Sequence, residues 1–116
     1  MCSKILSLVA VAAALGPLSA VADDTPLDIK TDVKGQYFLV EKGDNDGKPT
    51  LVVKRVTPDL NHYVKREFDC AARTVRYLGE GESLEEMAAA QPDAEAYPIE
   101  EGTIPDQLAR LVCTKD

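Results

Sequence analysis

Leu27, Ile29, Thr31 and Val33 alternate with Asp28, Lys30, Asp32 and Lys34. A period of two with the charges on one side predicts a half-buried strand. Gly35 interrupts it, and the mostly apolar Gln36–Lys42 that follows suits an inner strand. The stretch Gly43–Pro49 (GDNDGKP) is turn chemistry, because Asp, Asn and Gly tolerate left-handed backbone. Thr50–Thr57 then predicts a strand that closes a hairpin on the previous one. After a second turn at Pro58–Asn61, His62–Cys70 predicts a fourth strand. Val64, Phe68 and Cys70 fall on one face of it, and Tyr63, Lys65, Glu67 and Asp69 on the other. Ala71-Ala72 turns the chain into a fifth strand, Arg73–Gly79.

The pattern then changes period. Ser83-Leu-Glu-Glu86 is a capping box, with Ser83 as N-cap and Glu86 reaching back to it. Leu84, Met87 and Ala88 follow at helical spacing until Pro92 ends the run. The residues from Pro92 to Gly102 (PDAEAYPIEEG) read as loop. Thr103 caps a second helix, on which Ile104, Leu108, Leu111 and Val112 form a stripe. Unbroken helix would turn Cys113 away from that stripe, so the helix is expected to loosen near Val112. Strands followed by helices give an α+β class: about five antiparallel strands with two short helices.

The N-terminal segment belongs to none of this. Lys4 precedes an apolar run from Ile5 to Leu15, Gly16-Pro17 breaks it, and Ala20-Val21-Ala22 stands before Asp23-Asp24. That is the layout of a secretory signal peptide over residues 1–22, with cleavage expected after Ala22. The apolar run is shorter than the about 20 residues that a spanning helix needs, so no stable membrane insertion is expected after cleavage. Cys2 precedes the apolar run, where no lipid-attachment signal places a cysteine. The rest, residues 23–116, is expected to be a single small α+β domain in the periplasm or on the outer cell surface.

Removing the leader changes the chemistry. The whole chain carries 13 basic and 20 acidic residues and a net charge of −7; losing Lys4 takes this to −8. Two cysteines remain, Cys70 and Cys113, and an even pair in an exported chain reads as one disulfide. Closing a loop of this length stabilises a fold by roughly 4 kcal/mol in the chain-entropy model. That is a large share of the about 5–15 kcal/mol typical of a domain. A redox role needs a close cysteine pair, which is absent.

Motifs for catalysis, cofactors and metals are absent as well. Asp44-Asn45-Asp46-Gly47 suggests a calcium loop, but Lys42 and Val53 stand where the EF-hand pattern needs carboxylates. His62 is the one histidine, and no nucleophile or orienting carboxylate accompanies it in sequence. No cofactor and no metal ligand set is expected, and the chain is expected not to be an enzyme.

Charge is distributed unevenly. Lys48 to Arg76 holds seven basic and three acidic residues, whereas Glu80 to Asp106 holds nine acidic and no basic ones. The two can compensate each other inside the fold, or one can steer a partner of opposite sign. A basic face of Lys54, Arg55, Lys65, Arg66, Arg73 and Arg76 suits acidic glycans or a matrix protein. The acidic segment, with Glu80, Glu82, Glu85, Glu86, Glu100 and Glu101, suits a cationic protein, for instance as an inhibitor of an enzyme such as lysozyme. Nucleic acid is not an expected partner for an exported chain of this charge.

Arg66-Glu-Phe-Asp-Cys70, the following RTVRYL and the later GTIPDQLARLVC together resemble small exported bacterial proteins of the surface-adhesin protein E-like family. The resemblance spans roughly Tyr37 to Cys113. It implies an antiparallel sheet with a flanking helix, a strand ending in Asp-Cys paired with a C-terminal helix ending in Cys, and a role in adhesion to host matrix components. It is carried by structural residues and transfers no binding residue.

Overall fold

A computed structural model describes residues 24–113. The expected leader, its cleavage after Ala22 and Cys2 lie outside these residues. Six strands form one antiparallel sheet in chain order: β1 (Thr25–Leu27), β2 (Gln36–Asn45), β3 (Lys48–Val56), β4 (Asn61–Asp69), β5 (Thr74–Gly81) and β6 (Tyr97–Pro98). Helix α1 (Leu84–Ala89) sits between β5 and β6, and α2 (Ile104–Val112) closes the described chain. Neighbours in sequence are neighbours in the sheet, and the longest connection, from β5 to β6, carries helix α1.

The expected first strand is largely absent. Only Thr25–Leu27 pairs with β2, and the chain leaves the sheet after Leu27. Asp32 explains why. One of its carboxylate oxygens accepts from the backbone N–H groups of Lys34 and Gly35, at 3.1 and 3.3 Å. The other accepts from the Tyr37 hydroxyl and from Arg55 Nε. A side chain that satisfies nearby backbone donors competes with a sheet ladder. The alternation is therefore split, with Ile29 packing against the core while Val33 is 93% exposed.

The sixth strand, Tyr97–Pro98, lies in the segment read as loop. It pairs with Thr74 and Val75 at the sheet edge, where a proline's missing N–H does no harm. The β2–β3 turn is tighter than the seven-residue stretch suggested. Asp46 and Gly47 alone form it, both at positive φ (55° and 89°), which matches the twist of a two-residue hairpin.

Strand periodicity gives the sheet two unlike faces. Leu51 and Val53 oppose Arg66 and Val64, and Phe68 opposes Val75. On this face Tyr37, Leu51, Val53, Phe68 and Val75 pack with Ile99, Leu108 and Ala109 into the core, so α2 is its lid. α2 ends at Val112, and Cys113, its cap, bonds Cys70 just past β4, with an S–S distance of 2.05 Å. The loosening expected near Val112 is thus what joins helix to sheet.

Val52 points to the opposite face. It pairs with Lys65, which pairs in turn with Gly79 of β5. Helix α1 lies over Gly79 and Gly81 and buries Met87 outside the main core. Ser83 Oγ caps α1 by accepting from Glu86 N at 3.1 Å. The Glu86 carboxylate reaches back one residue further than a capping box requires, accepting from Glu82 N at 2.8 Å.

A Cβ on Gly79 would sit 2.2 Å from the Met87 carbonyl oxygen, a backbone atom that cannot swing aside. Gly79→Ala is therefore expected to push α1 off the sheet and to destabilise the protein by about 1–3 kcal/mol. A lower urea midpoint together with altered Met87 chemical shifts checks this; an unchanged midpoint contradicts the packing described.

Candidate functional site

The six basic residues expected on one face do not share one. Register places Lys54, Lys65 and Arg76 on the α1 side of the sheet and Arg55 and Arg66 on the core side, while Arg73 sits in the β4–β5 turn at φ 59°. This follows from the sequence: neighbours such as Lys54-Arg55 and Lys65-Arg66 must point opposite ways on a strand. Four of the six are held by carboxylates. Lys54 pairs with Asp24 at 2.8 Å, Arg55 with Asp32, Arg73 with Asp106 at 3.1 Å and Arg76 with Glu67 at 2.9 Å. Lys54 also lies between the rings of Phe38 and Tyr63, its cross-strand neighbours, at 5.3 and 6.0 Å. Arg66 is buried on the core side, stacked 5.2 Å over Tyr77, and its Nε has no partner among the described residues. Lys65 has no ion-pair partner among the described residues.

The acidic segment is arranged differently. Glu80 Oε1 lies 3.2 Å from His62 Nε2, which gives the lone histidine a carboxylate neighbour that the sequence hides, because β5 folds back beside β4. Glu82, Glu85 and Glu86 cluster at the N-terminal turn of α1, where negative charge favours the helix dipole. Glu100 and Glu101 lie at the entry to α2, next to Ile99, whose N–H donates to Arg73 at 3.0 Å. The α1 cluster adjoins the Gly81 end of β5 and the other cluster its Thr74 end. An eight-residue strand separates them by roughly 20–25 Å. Among the described residues none of these five glutamates has a lysine or arginine within ion-pair distance. The basic strands are thus compensated by Asp24, Asp32, Glu67 and Asp106, of which only Asp106 belongs to the acidic run Glu80–Asp106.

Two carboxylates serve as hubs. Asp32 has been described; the Arg55 guanidinium and the Tyr37 hydroxyl hold its carboxyl well below the usual range, while burial and Asp32 itself push the Tyr37 phenol up. Asp106 is 2% exposed. It accepts from Gly102 N at 2.9 Å, Arg73 Nη2 at 3.1 Å and Arg110 Nη2 at 2.9 Å. The Gly102 N–H, then the two arginines, lower its pKa to about 2. Neither hub is legible in the sequence: Asp106 is one charge of an acidic run there, and only the fold shows that it faces inward.

Beside the acidic rim lies a shallow polar groove of about 280 Å³ on the α1 side of the sheet, lined by Lys48, Glu67, Asp69, Thr74, Arg76 and the Ala94–Ala96 stretch. Among the described residues no group of three or more His, Cys, Asp or Glu side chains is placed to hold a metal ion, and no helix is long and apolar enough to cross a membrane. No protein-family model, curated protein or solved structure matches the chain.

Asp106 and Asp32 both have folded-state pKa values below their ordinary value of 3.8. Their stabilisation is present above about pH 4 and is lost as pH falls through the folded values, so unfolding free energy should drop as the pH is lowered below about 4. Asp106→Asn is expected to be less stable at pH 7 and to show a shallower acid slope. Denaturant titrations across that range check this; parallel curves for the two proteins contradict the assignment.

Proposed function

We propose that the chain is an exported, non-enzymatic binding protein of the bacterial envelope, and that the face it presents is the acidic edge formed by Glu82, Glu85 and Glu86 at one end of β5 and Glu100 and Glu101 at the other. One observation carries this reading: the cations of the strands are mostly consumed by carboxylates within the fold, whereas these glutamates are left without counter-charges among the described residues. Unpaired charge of one sign at a surface steers partners of the other sign. The two clusters are close enough to fall under one interface, since a standard patch of about 800 Å² per partner is roughly 30 Å across. The partner's chemistry is that of a cationic protein, and a lysozyme-like enzyme held or inhibited at this edge is the concrete case.

The adhesin reading rests on a different observation, the similarity of the Asp-Cys strand and C-terminal Cys helix to the surface-adhesin protein E-like family. It needs a basic surface for acidic glycans or matrix protein. Among the described residues the lysines without ion-pair partners are Lys34, Lys42 and Lys48, which are exposed, and Lys65, which is half-buried; of these, Lys48 and Lys65 share the α1 side of the sheet and can supply it.

The two readings part in one experiment. Purified protein is titrated with lysozyme and with heparin at low and high salt, alongside the charge-reversed variants Glu82→Lys/Glu85→Lys, Glu100→Lys/Glu101→Lys and Lys48→Glu/Lys65→Glu. Lysozyme binding that weakens about tenfold in either glutamate variant and at high salt supports the acidic edge. Heparin binding lost only in the lysine variant supports the adhesin reading. Absence of lysozyme binding at low salt sinks the acidic-edge proposal.

A further inference from the structure

The polar groove beside β5 has features of a built site that the acidic-edge reading does not use. Its centre is Arg76, which is fixed on two sides. Its Nε donates to Glu67 Oε1 and its Nη1 to the Asp93 carbonyl, both at 2.9 Å. Glu67 is fixed in turn, because its second oxygen accepts from Asn45 Nδ2 at 2.9 Å. Glu67 is only 7% exposed. Holding a carboxylate and a guanidinium out of water costs desolvation free energy, and such a pair adds little net stability compared with an apolar one. What the arrangement does supply is a guanidinium locked in one orientation, with Nη2 unused among the described residues and the groove in front of it.

The outer wall is placed just as firmly. Asp93 N donates to the Tyr77 carbonyl at 2.8 Å, Ile99 N donates to the Arg73 carbonyl at 3.0 Å, and β6 pairs with Thr74 and Val75. The chain between these pins carries Ala94 and Ala96, whose small side chains leave the groove open. Around the rim stand three further groups. Lys48 has no ion-pair partner and the Thr74 hydroxyl no hydrogen-bond partner among the described residues. Asp69 engages one oxygen with Ala72 N at 3.0 Å and leaves the other unused there.

We propose that this groove binds a small zwitterion of amino-acid or dipeptide size, its carboxylate taken by Arg76 Nη2 and Lys48 and its ammonium by Asp69. The charges decide the ligand class. Lys48 and Arg76 are balanced by Glu67 and Asp69, so the groove is neutral overall and favours a neutral ligand with separated charges over a simple anion or cation. An anchored arginine loses little rotamer freedom on binding, which lowers the entropic cost of capture. A volume of about 280 Å³ sits at the small end of ligand sites. The proposal does not depend on the acidic edge, whose glutamates do not line the groove.

The test is an NMR titration of the oxidised, ¹⁵N-labelled protein with alanine and glycylglycine, and with acetate and methylammonium as single-charge controls. The zwitterions should give saturable shifts confined to the amides of Lys48, Thr74, Arg76, Ala94 and Ala96, with affinity about tenfold above either control. Ala96→Leu, which fills the groove from an exposed wall, and Lys48→Met, which removes a charge at an exposed hairpin, should each weaken binding about tenfold while leaving the rest of the spectrum unchanged. Absence of saturable shifts at these amides, binding undiminished in both variants, or acetate binding as tightly as alanine would each overturn the proposal.

Discussion

Helix α2 is tied at both ends to the same four-residue turn. At its C-terminal end Cys113 bonds Cys70; near its N-terminal end Asp106 accepts from Arg73. Cys70 and Arg73 bracket the β4–β5 turn, and Arg73 adopts a left-handed backbone (φ 59°) that a non-glycine residue seldom takes without compensation. The compensation is visible: its side chain holds Asp106, and its carbonyl accepts from Ile99 at the end of β6. Seated this way, α2 lays Leu108 and Ala109 onto Leu51, Phe68 and Val75, which completes the core. Gln107 extends the tie to the N-terminal side, where its amide bonds the Lys30 backbone and the Thr31 hydroxyl. A domain of this size has little apolar surface to bury. The Cys70–Cys113 bond and the more deeply buried of the two buried acids among the described residues, Asp106, therefore act where a single helix must be kept on the sheet.

The same division of labour explains the two faces. The core side holds α2, the aliphatic layer and the Asp32–Arg55–Tyr37 cluster that fastens the loop after β1. The other side has only a short helix on a glycine seat, and beside it polar residues replace an apolar layer. Glu67, Thr50 and Arg76 occupy positions where a sandwich protein would put aliphatics. An open, charge-paired sheet face thus lies next to an edge flanked by glutamates that have no counter-charge among the described residues.

The sequence was most legible where period and chemistry agreed. Ser83 and Thr103 cap the helices they were expected to cap, the alternation of Val64 and Phe68 names the inner face of β4, and the cysteine pair follows from counting. It misled where a polar side chain outcompeted a pattern. Asp32 turned an apparent strand into a loop, and Glu67, expected on the face opposite Val64 and Phe68, lies there but is buried by partners from β2 and β5 that the strand's own pattern does not show. The basic face failed for a simpler reason: consecutive basic residues on a strand cannot point the same way. The groove was invisible because its lining comes from four separate segments.

Native-state hydrogen exchange, comparing the oxidised and reduced protein, tests the double tie most directly. In the oxidised form the amides of Leu108 and Ala109 should exchange with the same free energy as those of β3 and β4, because α2 leaves only when the domain unfolds. After reduction they should open by a separate, cheaper route while Leu51 and Phe68 retain higher protection. If helix and sheet exchange together in both forms, the helix does not depend on that turn, and the account of what holds this fold is wrong.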